Sequence, residues 1–279
     1  MQIGYFPGKK TGEETFSIVI PTWNNLTFLK ICVASILKNS AYKHQVIIHV
    51  NDGSDGTLEW VKQQGFDYTC SAENVGLCKG VNAAAGLART DYILYLNDDM
   101  YVCPDWDLYL AKEIEAIGHP MFYLSSTLIE PAKSNNTCVL SPYDFGTDED
   151  TFREQELLKA LPAMASGDWS GSTWPPSIMH RKMWDLIGGY SIEFSPGMYS
   201  DPDISMKLWQ AGVRYFKGIG KSKVYHFMSK STGKVKKNHG KSTFYRKWKI
   251  SNSTFVNFYL RMGQEFRPQT CLLYTSRCV

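Results

Sequence analysis

Two adjacent carboxylates, Asp98 and Asp99, stand at the end of an apolar run, 92–96. That run is β-branched and aromatic, and a helical pattern with Ala84, Ala85 and Leu87 precedes it. It reads as a buried strand of a parallel sheet, covered on both faces, where polar–apolar alternation is lost. Like charges side by side repel, and a cation near them relieves the repulsion. In open α/β sheets, ligands sit beyond the carboxyl ends of the strands. Hard oxygen ligands at that edge suit Mg²⁺ or Mn²⁺ carrying phosphates. Taken alone, the same pair also fits a strand-end turn with Asp at its caps.

Such a strand end needs neighbours whose ends meet it. Residues 16–20 form a short apolar run closed by Pro21, a first buried strand. Leu26, Leu29, Val33, Ile36 and Leu37 then recur at helical spacing. A second strand, 46–50, is closed by the turn 51–56; a short helix (58–64) and a short strand (68–70) follow. The turn 73–76 leads into an Ala-rich helix, 77–88. Strands alternating with helices predict an α/β fold, a mostly parallel, doubly wound sheet with right-handed crossovers. The second half reads as helices at 105–117, 151–161, 181–187 and 204–210, with strands at 121–129, 177–180 and 213–217. Polar or aromatic loops lie at 132–150, 167–176 and 195–203. A soft boundary near residue 103 falls within one compact unit.

The 279 residues, 43% of them apolar and 14% aromatic, suffice for a sizeable core, and a net charge of +3 names no partner. The first 14 residues lack the apolar stretch of a secretory signal. No apolar run approaches the ~18 residues that span a bilayer. Seven cysteines without a CxxC pair read as reduced thiols of a cytoplasmic protein. No GxGxxG follows the first strand and no GxxxxGKS occurs, which disfavours a dinucleotide fold or a P-loop kinase.

The pieces FSIVIPTWNN, VNDGSDGT, ENVGLCKGVNAAAGLA and YILYLNDDM, in that order and spacing, resemble a family 2 glycosyltransferase of the GT-A fold. A second set extends the resemblance to about residue 232: an Ile-Gly-Gly-Tyr turn, YSDPDISMKLWQAG and VYHFMSKST. Each piece is weak alone; the ordered set is specific. The resemblance implies a Rossmann-like sheet with a nucleotide-sugar half at 14–103 and an acceptor and catalytic half at 104–232. It implies that Thr22, Trp23 and Asn24 lie against the nucleotide base, with Trp23 standing where the family usually has Tyr. Asp52 would accept a hydrogen bond from the pyrimidine ring nitrogen, as an ionised carboxylate can; read alone, it also fits an Asx turn. Asn74, Gly76 and Asn82 match a third donor motif, and Val81 replaces an Arg often found there.

Asn97-Asp98-Asp99 matches the family's DxD element with its first acid replaced. The resemblance implies that Asp98 faces the ribose or donor sugar. Asp99, with His226, would hold a divalent metal on the diphosphate. Ser200-Asp201-Pro202-Asp203 matches Glu-Asp-x-Asp with the Glu replaced, making Asp201 the general base of an inverting transfer. The same segment also fits a helix start capped by Asp201, with Pro202 at the first helical position. A lone His after a strand also fits simple packing. Trp169, Trp174 and Tyr199 flank the expected acceptor cleft. They suit either a saccharide platform or ordinary loop anchors.

Residues 233–266 read as a basic, aromatic helical extension, suited to an anionic membrane surface, to a phosphate-rich acceptor, or to packing on the core. Residues 267–279 break in composition and read as a tail. No nucleic-acid motif is present. The expected activity is metal-dependent transfer of a single sugar from a nucleotide-diphosphate sugar to a saccharide or lipid-linked glycan. The alternative is a non-catalytic module of the same fold. A sugar-phosphate nucleotidyltransferase is disfavoured, because PTWNNLTF is not its Gly-rich, basic opening loop.

Overall fold

The computed structural model describes residues 2–10, 12–228 and 238–268. In chain order the elements are β1 (Ile3–Phe6), β2 (Ser17–Trp23), α1 (Leu26–Asn39), β3 (Gln45–Asn51), α2 (Thr57–Gln64), β4 (Asp67–Ser71), α3 (Leu77–Ala85), β5 (Tyr92–Tyr95) and β6 (Met100–Val102). Next come α4 (Trp106–Ile117), β7 (Phe122–Ile129), β8 (Val139–Leu140), α5 (Glu154–Ala160), β9 (Trp169–Ser170), β10 (Ser177–His180) and α6 (Arg181–Ile187). The last are α7 (Ser200–Gln210), β11 (Tyr215–His226), α8 (Gly240–Trp248) and α9 (Asn252–Thr254).

One sheet runs β1-β4-β3-β2-β5-β10-β7-β11-β6, with β8 and β9 attached to β7 and β11. Its first half, β4-β3-β2-β5, is parallel. The second half is mixed, because β10 runs antiparallel to both β5 and β7, and β6 runs antiparallel to β11. Ile18 and Ile20 of β2 join the core under α1 and α4, while Val19 joins the core under α3 and α7. Both faces are therefore buried, which is why the sequence of β2 shows an unbroken apolar run.

Several boundaries differ from the sequence reading. β2 continues through Pro21, Thr22 and Trp23 rather than turning at Pro21. Beyond Val19 it pairs with β3 alone, so a proline, with no N–H to give, is tolerated there. The helix expected at 204–210 starts at Ser200, and the strand expected at 213–217 runs on to His226. The short strands β1, β6, β8 and β9 carry too few residues for a periodic signal. The basic extension folds as α8 and then α9, separated at Lys249 (φ 61°). Its Phe244 and Phe255 are fully buried in the same core as Ile204, while Tyr245 and Phe258 are exposed. Residues 229–237 of the basic stretch and 269–279 of the expected tail lie outside the described residues.

Arg89 ties the N-terminal segment down: its guanidinium pairs with Glu14 (2.6 Å) and Asp67 (2.9 Å). Cys32, Cys70, Cys78, Cys103 and Cys138 are free thiols. Among the described residues, no helix is long and apolar enough to cross a membrane.

Candidate active site

The ends of β2, β3, β5 and β7, together with the loop before α7, enclose a cavity of about 590 Å³. This volume is in the range of small-molecule sites. Thr22, Trp23, Asn74, Gly76, Asp98, Asp99, Trp174, Tyr199, Asp201 and His226 line it. Asn24, Asp52, Asn82 and Trp169 do not.

The turns after β2 and β3 are locked together. Asn24 Nδ2 donates to Asp52 Oδ2 (2.9 Å) and to Ser54 Oγ (3.1 Å). Asn24 and Asp52 both have positive φ, 46° and 63°. Such backbone is more common for Asn and Asp than for other side chains. The third turn is tied in by Asn51, whose Oδ1 accepts from Val75 N (2.9 Å). Within that turn Asn74 Oδ1 accepts from Gly76 N (2.8 Å). Gly76 has φ 80°, and a Cβ there would meet Pro196 Cα at 3.1 Å, so glycine lets the two loops approach.

At the end of β5, Asn97 Oδ1 accepts from Tyr95 OH (2.7 Å). Burial, and then the charge of Asp99, push the Asp98 carboxyl up to about 7. Thr22 and Asn25 face Asp98 and pull the other way, although neither closes a hydrogen bond of full geometry. His226, at the end of β11, sits between two carboxylates. Its Nε2 is 3.5 Å from Asp99 Oδ2, and its Nδ1 is 3.1 Å from Glu130 Oε1. Burial lowers the basicity of this imidazole, but Asp99 and Glu130 outweigh it and raise His226 to about 9.

Across the cavity Asp201 lies in the first turn of α7. The residue before the helix is Tyr199, with φ 69° and no side-chain capping bond, so Asp201 is not the helix cap. Withdrawal from water pushes its carboxyl up to about 7, opposed only by the Tyr190 hydroxyl, 3.4 Å from Oδ1. Asp203, two residues on, faces away and holds Trp248 Nε1 (2.8 Å) and Lys247 Nζ (3.0 Å).

The two tryptophans differ. Trp169 is buried, donates Nε1 to Thr127 Oγ1 (3.0 Å), and stacks on Trp174 at 5.8 Å. Trp174 lines the cavity, and its buried Nε1 has no partner among the described residues; the same holds for Thr22 Oγ1. Buried polar atoms are rarely left unpaired, so such atoms in a cavity wall mark places for ligand groups. Asn51 and Glu130 also line the cavity, and sequence reasoning passed over them. Glu130 follows β7 as Asp98 follows β5, so the same strand-end rule points to it.

Among the described residues, no group of three or more His, Cys, Asp and Glu side chains is arranged to hold a metal ion. Asp99 and His226 offer a pair. That suits an ion of the Mg²⁺ type, which takes one or two protein ligands and fills its shell with phosphate oxygens and water.

A family model described as Glycosyl transferase family 2 matches residues 17–167. Hyaluronan synthase of Pasteurella multocida is 26% identical over 233 residues, covering 80% of this chain and 22% of that protein. The chain spans about a quarter of the length of the curated relatives it matches. Among solved structures, S. aureus TarS 1-349 in complex with UDP-GlcNAc superposes with a TM-score of 0.55 at 12% identity, over 87% of this chain and 75% of that one. GalNAc-T7 with UDP, GalNAc and Mn²⁺ gives 0.57 at 16% identity, over 83% and 45%. These structural likenesses show the fold, a GT-A α/β sheet flanked by helices. With more than half of its length matched by the family model, the chain belongs to glycosyl transferase family 2.

Proposed function

We propose that the chain moves a single sugar from a nucleoside-diphosphate sugar to a hydroxyl of a saccharide or lipid-linked glycan, with inversion at the anomeric carbon. One observation carries this reading: a single cavity has Asp98 and Asp99 on one wall and Asp201 on another. The UDP-GlcNAc bound by TarS and the UDP and Mn²⁺ bound by GalNAc-T7 support the choice of donor class.

In this reading the base of the nucleotide stacks near Trp23, beside the Asn24–Asp52 lock, and Asp98 orients the ribose or sugar. Asp201 takes the proton from the acceptor hydroxyl as its oxygen attacks from the face opposite the diphosphate. A carboxyl raised to about 7 is matched to accepting a proton near neutral pH, and such a base contributes roughly 10²–10⁴-fold to rate. Asp99 and His226 would hold a divalent cation, Mn²⁺ or Mg²⁺, which when bound neutralises charge building on the leaving diphosphate. Trp174 offers its free indole N–H, and Tyr199 its ring, to the acceptor side. Work at the inner face of a membrane belongs to the same proposal, since exposed Tyr245 shares α8 with exposed Lys241 and Arg246, and Phe258 of the same basic extension is also exposed. Co-sedimentation with anionic vesicles tests that part.

A non-catalytic donor-binding module is the second reading. Asn97 and Ser200 stand where the family motifs carry acids, and both engage their own chain, at Tyr95 and at Gly197 O (2.6 Å). The deciding experiment measures release of nucleoside diphosphate from a panel of nucleotide sugars, with Mn²⁺ or with chelator, for wild type and Asp99→Ala. Metal-dependent turnover of one donor, lost in the variant, supports the enzyme. Donor binding without turnover, across a panel of saccharide acceptors, supports the module.

A further inference from the structure

We infer that Asn82 is not a donor-binding residue but a positioning residue for Asp201, acting through Tyr190. This rests on Asp201 being the base.

Asn82 sits on α3, in the stretch that resembles a donor motif, yet both ends of its amide are engaged elsewhere. Nδ2 donates to Tyr190 O (2.7 Å), and Oδ1 accepts from Tyr190 N (2.8 Å). A two-point clamp of this length fixes the peptide on both sides of Tyr190, 108 residues away in sequence. The preceding Gly189 has φ 62°, and a Cβ there would lie 2.6 Å from Asn82 Oδ1, so glycine is what allows the clamp to close.

The clamp aims a side chain. The Tyr190 ring is 2% exposed, edge-on to Tyr95 (5.7 Å, 83°) and to Trp184 (6.0 Å, 62°). Its hydroxyl reaches Asp201 Oδ1 at 3.4 Å, the only side-chain hydrogen bond to Asp201 among the described residues. The titratable groups facing Asp201 are Tyr190, Tyr95 on β5, Tyr123 on β7 and Cys78 on α3. Burial pushes all four upward, Cys78 to about 12, so they are neutral at working pH and Tyr190 remains a donor. A donor to the carboxylate favours its charged form and helps keep the base unprotonated.

The test uses the full chain with the donor it turns over. Tyr190→Phe keeps the buried ring and deletes the hydroxyl; Asn82→Ala deletes the clamp. Both are expected to lower kcat about tenfold. Both should move the rising limb of the pH–rate profile to higher pH by about half a pH unit. Donor affinity by calorimetry should stay within about twofold, since neither side chain lines the donor cavity. Tenfold weaker donor binding in Asn82→Ala, with the limb unmoved, would return Asn82 to the donor site and overturn the inference. So would a Tyr190→Phe variant with unchanged kcat and limb. Should Asn82→Ala fail to fold, Tyr190→Phe decides alone. Asp201→Asn separates the two levels: a pH limb that persists in that variant removes the base assignment itself.

Discussion

The two carboxylate walls of the cavity hold their charge in different company. On the β5 side, Asp98 is raised by burial and by Asp99, and Glu130 stands behind His226. On the α7 side, Asp201 is raised by burial alone, among three tyrosines and a thiol. Both Asp98 and Asp201 reach about 7, but the relief open to each differs. Clustered anions can be relieved by a cation that several of them share. A lone, half-buried carboxylate ringed by neutral phenols gains most from a proton. Chemistry that needs a neutralised leaving group at one end and a proton acceptor at the other fits that division.

The largest expected break in this comparison is Asp201→Asn. It should lower transfer by roughly 10²–10⁴-fold, measured by product formation at saturating donor. Next, Glu130→Gln should leave the proton-accepting wall intact and weaken Mn²⁺ binding, followed by calorimetry, by about 10–100-fold. It deprives His226 Nδ1 of its carboxylate, and such outer partners carry that much metal affinity. The smallest effect is on stability. A carboxyl whose folded-state value is raised contributes stability below the unfolded value near ~3.9, and loses it as pH rises through the folded value. For Asp201 that window runs from about pH 4 to about 7. Asp201→Asn should therefore match wild type at pH 4 and exceed it by roughly 1 kcal/mol at pH 8, a figure reduced because the carboxylate lines an open cavity. Thermal unfolding at the two pH values checks it.

The wall at β5 was legible in the sequence because an apolar run ending in two acids is a local pattern. The wall at α7 was legible only through a motif, and its geometry was misleading. Asp201-Pro202 looks like a cap followed by Pro at the first helical position, yet α7 starts at Ser200 after Tyr199 adopts positive φ. No propensity rule expects a bulky residue in that conformation, and strained backbone of this kind clusters at functional sites. The parallel half of the sheet followed from alternating strands and helices. The antiparallel insertion of β10 between β5 and β7 did not, because pairing partners more than 80 residues apart leave no local trace (Ser177 opposite Tyr95 is 82 apart, Met179 opposite Ile93 is 86). The partnership of Asn82 with Tyr190 was invisible for the same reason. Trp169 and Trp174 read alike in sequence; only packing separates the buried indole from the one facing the cavity.

The division between the walls is tested most directly by donor binding with and without Mn²⁺, measured by calorimetry on wild type, Asp99→Ala and Asp201→Asn with the donor the wild type turns over. The metal should strengthen donor binding to wild type and to Asp201→Asn alike, and leave Asp99→Ala unchanged, although Asp201→Asn transfers sugar only at its much reduced rate. A metal response that survives in Asp99→Ala, or one that vanishes in Asp201→Asn, would contradict the assignment of the cation to one wall and the proton to the other.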